Sequence, residues 1–463
     1  MSTRAIIIGG SIAGLLHARI LAEFFDDVSV IERDALPDAP DFRNGVPQGR
    51  HVHALLAQGQ QLMEQLFPGL ADDFVEIGAP RLTWGLDTAY MTSGGWLRRY
   101  DTGIQVNQIT RIALEYLIRR RLQKLYPNVT LVSDCVVEGL SSEGDRITGV
   151  RCTPRGGETE TRVADLVVDA SGRNSKAPEW LKTLGYEAPL ETQIKSYIGY
   201  ATRWYERPPD PPDWRLLFIQ ANPKRGILRG AAIFEVEDGR WLVTLGGVNK
   251  DYPPTDEDGF LEFGRSLPTP VFYEAIKDAR PLSPVYGYRI EGNRLRHYEK
   301  LTRHPEGFIV VGDAVCGFNP LYGQGMTVAA IEAVLLREML TKTALPLPNG
   351  FASAFQQRLA KAIQNAWLLA TGEDLRYPGT EGTKPGAADR FVQWYTDRVL
   401  EVMPYDETIT RAFTEVANLT ASPTVLLRPA IALRVLRHQL RSGHHEHADS
   451  LSRVPPRVTS TTL

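Results

Sequence analysis

Residues 9–14, Gly9-Gly10-Ser11-Ile12-Ala13-Gly14, stand between a short β-branched run at 5–8 and an apolar stretch of helical period at 15–25. A turn in that position suits the phosphates of a nucleotide. Glycine lets the backbone approach, and the free N–H groups and dipole of the following helix face the anion. Gly9 permits a sharp turn and Gly14 permits close packing of helix on strand, with Ala18 and Ala22 continuing the small face at helical spacing. Ser11 replaces the middle glycine of G-x-G-x-x-G; it is small, and its hydroxyl can itself donate to a phosphate. A second strand, 28–31, ends in Glu32, where an acid takes the ribose hydroxyls of an adenosine. The competing readings are a ligand-free βαβ opening and an export signal after Arg4. The second lacks a small-residue cleavage site.

A second constellation follows an apolar strand at 308–311. Gly312-Asp313 offers a carboxylate for sugar hydroxyls, and Asn319-Pro320-Leu321-Tyr322-Gly323-Gln324-Gly325-Met326 leads into a helix with Gly325, Ala329 and Ala333 on one face. A Gly-rich turn at a helix N-terminus presents N–H groups and positive dipole to an anion. Reduced flavin carries its charge at N1 and the C2 oxygen, so such a turn suits an isoalloxazine ring. A loop–helix junction without ligand is the alternative.

These residues need elements to hold them. The chain has 463 residues, enough for two or three subdomains. Hydrophobic residues make up 43% and charged residues 23%, as in an ordinary globular protein. The 52 basic and 55 acidic residues leave a net charge of -3, which argues against nucleic acid as a partner. No apolar run reaches the length of a membrane span. Cys135, Cys152 and Cys316 form neither a disulfide framework nor a zinc pattern, which places the expectation in the cytoplasm. Helices are expected at 54–66 and, capped by Thr110, at 110–125; further helices are expected at 256–266 and 270–279. Strands are expected at 129–132, 135–140, 147–153 and 164–169, and β-rich runs between 194 and 248 read as an antiparallel sheet.

Three motifs together resemble the FAD-dependent oxidoreductases of the para-hydroxybenzoate hydroxylase-like class. They are Gly9-x-Ser11-x-x-Gly14, Asp169-Ala170-Ser171-Gly172-Arg173 and Gly312-Asp313, in family order from Thr3 to about Leu340. The wording at 49–53 and 319–326 is most similar to the squalene-epoxidase-like and polyether epoxidase branch. This resemblance implies FAD as cofactor and NADPH or NADH as transient reductant. It assigns Arg111 to the FAD phosphates, Glu32 to the ribose, Asp169 to the pyrophosphate region and Asp313 to the ribityl chain. Pro320, Gly323, Gln324, Gly325 and Met326 would lie against the ring, and Arg50 near it. Ala13, Arg33, Val136 and Gly312 complete the expected cofactor-binding set.

The implied activity is monooxygenation of an apolar small molecule by O2 through a C4a-hydroperoxyflavin, with alkene epoxidation placed ahead of aromatic hydroxylation, in secondary metabolism. A reductase, dehydrogenase or halogenase of the same fold is the alternative; Ala170, where the usual motif has Gly, is a form typical of the epoxidase branch and also of halogenases and reductases, while the W-x-W-x-I-P signature of halogenases is absent. A non-catalytic protein binding FAD or a prenyl ligand is a second alternative. No catalytic side chain is identified and no metal is expected, because His51 and His53 lack a third ligand.

The expected architecture is α/β: a Rossmann-like three-layer FAD-binding domain in three parts (1–80, 101–185, 296–344), with an antiparallel substrate domain at 186–295. Substrate-side strands at 81–100, a helical region at 345–441 and a disordered tail at 442–463 complete it. Residues 425–441 form a basic amphipathic helix; packing on the FAD domain is expected ahead of contact with a membrane surface. Oligomeric state is not legible.

Overall fold

The computed structural model describes residues 2–441 and Pro455. The tail, including His444-His445-Glu446-His447, lies outside the described residues apart from Pro455. Five parallel strands form the central sheet in the order Phe308–Val310, Leu166–Asp169, Arg4–Ile8, Asp27–Ile31, Val129–Val132. Their side chains are apolar almost throughout because both faces of a parallel sheet are covered. Ile7, Val28, Val30, Val167 and Ile309 are fully buried. The register pairs Ile8 with Asp169 and Asp169 with Val310. Three distant segments therefore end side by side, and the turns that follow them share one edge. In open α/β sheets that edge, at the carboxyl ends of the strands, is where ligands bind.

Helices Ile12–Leu21 and Gly325–Thr341 pack on each other, and Arg111–Leu125 packs on the first of them. A three-stranded antiparallel sheet, Cys135–Glu143, Arg146–Pro154 and Glu160–Val163, lies against Leu166–Asp169. The helix expected at 54–66 begins at Ala57, and Thr110 accepts from the backbone N–H of Ala113 as an N-cap.

The second layer is an eight-stranded sheet around Leu190–Glu206, Arg240–Gly247, Arg229–Val236 and Leu216–Ile219. The strands expected between 194 and 248 pair antiparallel, and the sheet as a whole is mixed because Thr88–Thr92, from the expected substrate-side segment, runs parallel to Leu216–Ile219. That strand arrives on a long excursion from the nucleotide-binding layer, so no hairpin dictates its direction. Residues alternate between the faces with the period of a strand. Leu217, Ile219, Ile233, Trp241, Val243 and Leu245 bury one face beneath helices Glu257–Arg265 and Val271–Ile276. Leu216, Phe218, Ala232, Phe234 and Thr244 belong to the other face, which lines a cavity.

Helices Phe351–Asp374, Ala387–Val402, Glu407–Ala417 and Pro429–Arg441 close the opposite side. The last does not pack on the nucleotide-binding layer as expected. Its buried Ile431 and Val435 join Val399, Met403, Ile409 and Val416 of the neighbouring helices, while Leu433, Leu436 and Leu440 stay exposed. The sequence shows that face as apolar but does not say which partner covers it.

Candidate cofactor and active site

The turn after Arg4–Ile8 is built by close approach. Gly9 has φ +105°, and a Cβ there would stand 2.6 Å from the carbonyl oxygen of Ala170. A Cβ on Gly14 would stand 1.8 Å from the carbonyl oxygen of Gly9. Neither position admits a side chain without backbone movement. Ser11 is the residue before helix Ile12–Leu21, but its hydroxyl does not cap that helix. It donates to Glu115 Oε2 at 2.8 Å and accepts from Arg111 Nη2 at 2.6 Å.

Glu115 anchors a buried run of alternating charge. Arg111 Nη1 lies 2.9 Å from its Oε2, and Arg43 Nε donates to its Oε1 at 2.8 Å. Arg43 continues to Glu32 at 3.1 Å and to Asp34 at 3.2 Å. Burial alone would raise the Glu115 carboxyl, but Arg111 and Arg43 outweigh it and hold that carboxyl below its ordinary range. Glu32 Oε2 accepts from Gly10 N–H at 2.7 Å and its Oε1 from Asp34 N–H at 3.0 Å. The expected ribose-binding acid thus also fastens the phosphate turn to the strand beside it.

The second turn depends on Asp169, which is fully buried. It accepts from the N–H of Ser171 at 2.9 Å, from the Ser171 hydroxyl, and from the Ser175 hydroxyl. Its carboxylate shapes the loop. At the third turn, Gly312 abuts Ala13, and the Gly312 N–H donates to Glu332 Oε2 at 2.6 Å. Glu332 lies inside helix Gly325–Thr341, and its Oε1 has no partner among the described residues. Burial, with Asp313 adding, pushes its carboxyl up to about 8, although the Gly312 N–H opposes the shift. Asp313 has no hydrogen-bond donor among the described residues. Burial raises its carboxyl, against the pull of Arg173, Arg111 and Arg294. A half-buried carboxylate among three arginines, with no hydrogen-bond donor of its own, is a site that asks for ligand hydroxyls.

Beyond Asp313 the chain makes a short 3-10 turn, Pro320–Tyr322, and enters helix Gly325–Thr341. Gly323 abuts Ala54, and Gln324 Oε1 is buried without a partner among the described residues. The turn is held from outside by Asp374, at the end of helix Phe351–Asp374. Asp374 accepts from Tyr322 Oη at 2.6 Å, Ser196 Oγ at 2.7 Å, Asn293 Nδ2 at 2.7 Å and Asn319 Nδ2 at 3.1 Å. Burial lifts its carboxyl to about 6, and the bonds from Tyr322, Ser196 and Asn319 restrain the rise.

Pro320 to Gln324 form part of the wall of a cavity of about 620 Å³ between the eight-stranded sheet and the C-terminal helices. Its lining is mostly apolar and aromatic, including Trp84, Leu216, Phe218, Phe234, Trp367 and Leu369, with His51, Tyr90, Thr244 and Glu373 among the polar groups. A pocket of this size and character suits a small organic molecule.

Gly9, Ser11, Ala13, Gly14, Glu32, Arg111, Asp169, Gly312 and Asp313 therefore gather along one edge of the parallel sheet, and Pro320, Gly323 and Gln324 face the cavity beside them. Gly325 and Met326 open the helix behind that turn. The Arg50 guanidinium packs against the adjacent rings of Phe42 and Tyr286, 4.7 and 4.8 Å from their centroids. Arg33 and Val136 are exposed beside the nucleotide-binding layer. No group of three or more possible metal ligands occurs among the described residues. Arg43, Glu115 as an ion-pair hub, Glu332 and Asp374 were not anticipated. For Glu332 a signal existed: it is an acid inside an otherwise apolar, small-residue helix face.

The residues fit a flavin adenine dinucleotide on this structure's own terms. They offer a cradle that excludes side chains, an Arg beside it, a carboxylate without donors and an orphaned amide oxygen at the ring turn. Comparison with known proteins decides the matter. The FAD binding domain family matches residues 2–344. The chain belongs to that family. Members of the family bind FAD, and this chain is a FAD-dependent oxidoreductase of the flavoprotein monooxygenase superfamily. It is 32% identical over 455 residues to Protein Rv3254 of Mycobacterium tuberculosis, covering 94% of each chain. It is 26% identical to a kynurenine 3-monooxygenase of Salinispora tropica, over 73% of this chain and 72% of that one. A flavoprotein/dehydrogenase from Cytophaga hutchinsonii shares the fold with a TM-score of 0.68 at 14% identity, over 95% of this chain and 100% of that one. No helix among the described residues is long and apolar enough to cross a membrane.

Proposed function

We propose that this family member is an NAD(P)H-using monooxygenase that transfers one oxygen atom of O2 to an apolar small molecule held in the cavity beside Pro320–Gln324. The observation that carries the reading is the placement of that cavity: the turn that suits the flavin ring forms part of its wall. Bound FAD supplies the redox chemistry, taking a hydride and activating oxygen. The chain supplies position and exclusion of water. Arg111 and the backbone N–H groups of Ser11 to Ala13 hold the pyrophosphate, and Glu32 the ribose. Asp313 holds the ribityl hydroxyls, while Gln324 and the N-terminus of helix Gly325–Thr341 face the negative end of the reduced ring. The apolar sheet face and helix Phe351–Asp374 keep water from the reacting oxygen.

Alkene epoxidation is the first reading. It needs no protein base on the substrate, and His51, whose imidazole burial holds down at about 4, is a poor one. Likeness to the squalene-epoxidase-like branch at 49–53 and 319–326 supports it. Aromatic hydroxylation is the second reading, favoured by the kynurenine 3-monooxygenase relative. The test is turnover of the holoenzyme with NADPH or NADH under ¹⁸O2 against a panel of isoprenoid alcohols and alkylphenols. A product carrying one ¹⁸O atom supports monooxygenation, and its structure separates the two readings. Hydride consumption with reduced but never oxygenated products supports a reductase instead.

A further inference from the structure

The imidazole of His51 is fixed on one side and open on the other. Nδ1 lies 2.7 Å from Thr202 Oγ1, and Thr202 Oγ1 lies 2.7 Å from Thr244 Oγ1. Nε2 has no hydrogen-bond partner among the described residues, and both His51 and Thr244 line the 620 Å³ cavity. The ring sits 6.3 Å from Tyr200 and 5.6 Å from Tyr288. Tyr200 in turn donates to Asn319 Oδ1 at 3.1 Å, at the head of the turn assigned to the flavin ring. A polar group so placed in an apolar chamber sets the orientation of whatever enters.

The two threonine hydroxyls make the arrangement self-consistent in one direction at a time. With Nδ1–H donating to Thr202, the Thr202 hydroxyl donates to Thr244, and Nε2 presents a lone pair to the cavity. With the chain reversed, Nε2 presents an N–H. A ligand hydroxyl, which both donates and accepts, is served in either state.

We propose that His51 is the substrate-orienting residue of this site, and that the substrate is an apolar molecule bearing a hydroxyl, a phenol or an isoprenoid alcohol, which hydrogen-bonds to His51 Nε2. The proposal rests on the monooxygenase reading for the word substrate, but the binding it describes does not. Burial, with His53 and Arg50 adding, keeps the imidazole neutral at pH 7, so its lone pair is available without proton transfer. Thr202 positions the ring and does not touch the ligand.

The test uses a matched pair of probes on the full-length oxidised holoenzyme: 1-naphthol and 1-methylnaphthalene, which differ by a hydroxyl in place of a methyl. Binding is read from perturbation of the flavin absorption, in wild type, His51→Leu, His51→Asn and Thr202→Val. The ratio of the two Kd values should move against naphthol by about tenfold in His51→Leu, as for one lost hydrogen bond. It should recover in part in His51→Asn and move by a smaller factor in Thr202→Val. A ratio unchanged in His51→Leu overturns the proposal, as does failure of wild type to bind either probe. A flavin spectrum that shifts without ligand while the ratio stays fixed also overturns it, because His51 then serves the cofactor. A protein that discriminates as described yet oxygenates nothing contradicts only the oxygenase reading.

Discussion

Tyr322 donates its hydroxyl to Asp374 at 2.6 Å, and this single contact ties the last turn of a C-terminal helix to the turn assigned to the flavin ring. Asn319 reaches the same carboxylate, so the geometry of residues 319–323 is set by a residue outside the FAD-binding family match. Asp374→Ala leaves four donors, on Ser196, Asn293, Asn319 and Tyr322, without their acceptor. The expected cost is about 3 kcal/mol or more of stability, as for breaking a buried charged hydrogen-bond cluster. Thermal unfolding of the purified holoenzyme checks this, with Asp374→Asn expected to lose less. Unchanged unfolding in Asp374→Ala would show that the cluster is not formed in solution.

Asp313 has a different dependence, because its carboxylate lacks protein donors and faces three arginines. Asp313→Ala should weaken FAD retention by about a hundredfold or more, the loss of two hydrogen bonds to a charged acceptor. The fold should persist. Flavin content per polypeptide after gel filtration reads this directly; a fully yellow variant contradicts the assignment.

The close approaches at the phosphate turn predict that Gly14→Ala is more damaging than its chemistry suggests. A methyl 1.8 Å from the Gly9 carbonyl oxygen forces helix Ile12–Leu21 away from its strand. The expected cost is about 3 kcal/mol or more, with flavin lost in parallel. Ala18→Gly on the same helix should cost about 1 kcal/mol and keep flavin. Chemical unfolding of the two variants distinguishes close approach from helix propensity.

The pH dependence of stability should carry two opposed contributions from buried groups. His17, His51 and His53 are pushed down from 6.5 to about 4, each by burial first. The unfolded chain therefore binds more protons than the native one between pH 4 and 6.5, and stability rises with pH across that window. Glu332 and Asp374 have the opposite sign. Their carboxyls are raised to about 8 and about 6, so their contribution is complete at low pH and is lost as pH rises through those values. Above 6.5 the three histidines no longer add a slope, while Glu332, raised to about 8, still does. Melting temperature against pH should fall from 6.5 to 8 in wild type and flatten over that range in Glu332→Gln. A fall that persists in the variant assigns it to another group.

Much of the framework of the candidate site was legible because its signals are local. Gly9, Gly14, Asp169 and Gly312-Asp313 each follow a buried strand within a few residues, and a parallel sheet brings the ends of its strands together whatever lies between. Asp374 and Arg43 were not legible, because each acts through partners far along the chain. Asp374 meets Ser196 across 178 positions, and Arg43 meets Glu115 across 72. Nothing in helical period or loop composition marks such residues as polar hubs. Arg50, placed near the flavin by its position in the loop, packs its guanidinium against the rings of Phe42 and Tyr286, a contact no local pattern announces. The pairing of Thr88–Thr92 with Leu216–Ile219 was not legible for the same reason as Asp374, since strand pairing across a domain excursion leaves no local trace.

The most direct test of monooxygenation needs no knowledge of the substrate. The bound flavin is reduced anaerobically with NADPH or NADH, mixed with oxygenated buffer in a stopped-flow instrument, and followed by absorption. The account predicts a transient spectrum distinct from both reduced and oxidised flavin, longer-lived when an apolar hydroxylated ligand fills the cavity. Direct return from reduced to oxidised flavin in one step, with and without such ligands, would contradict it and leave a reductase or dehydrogenase.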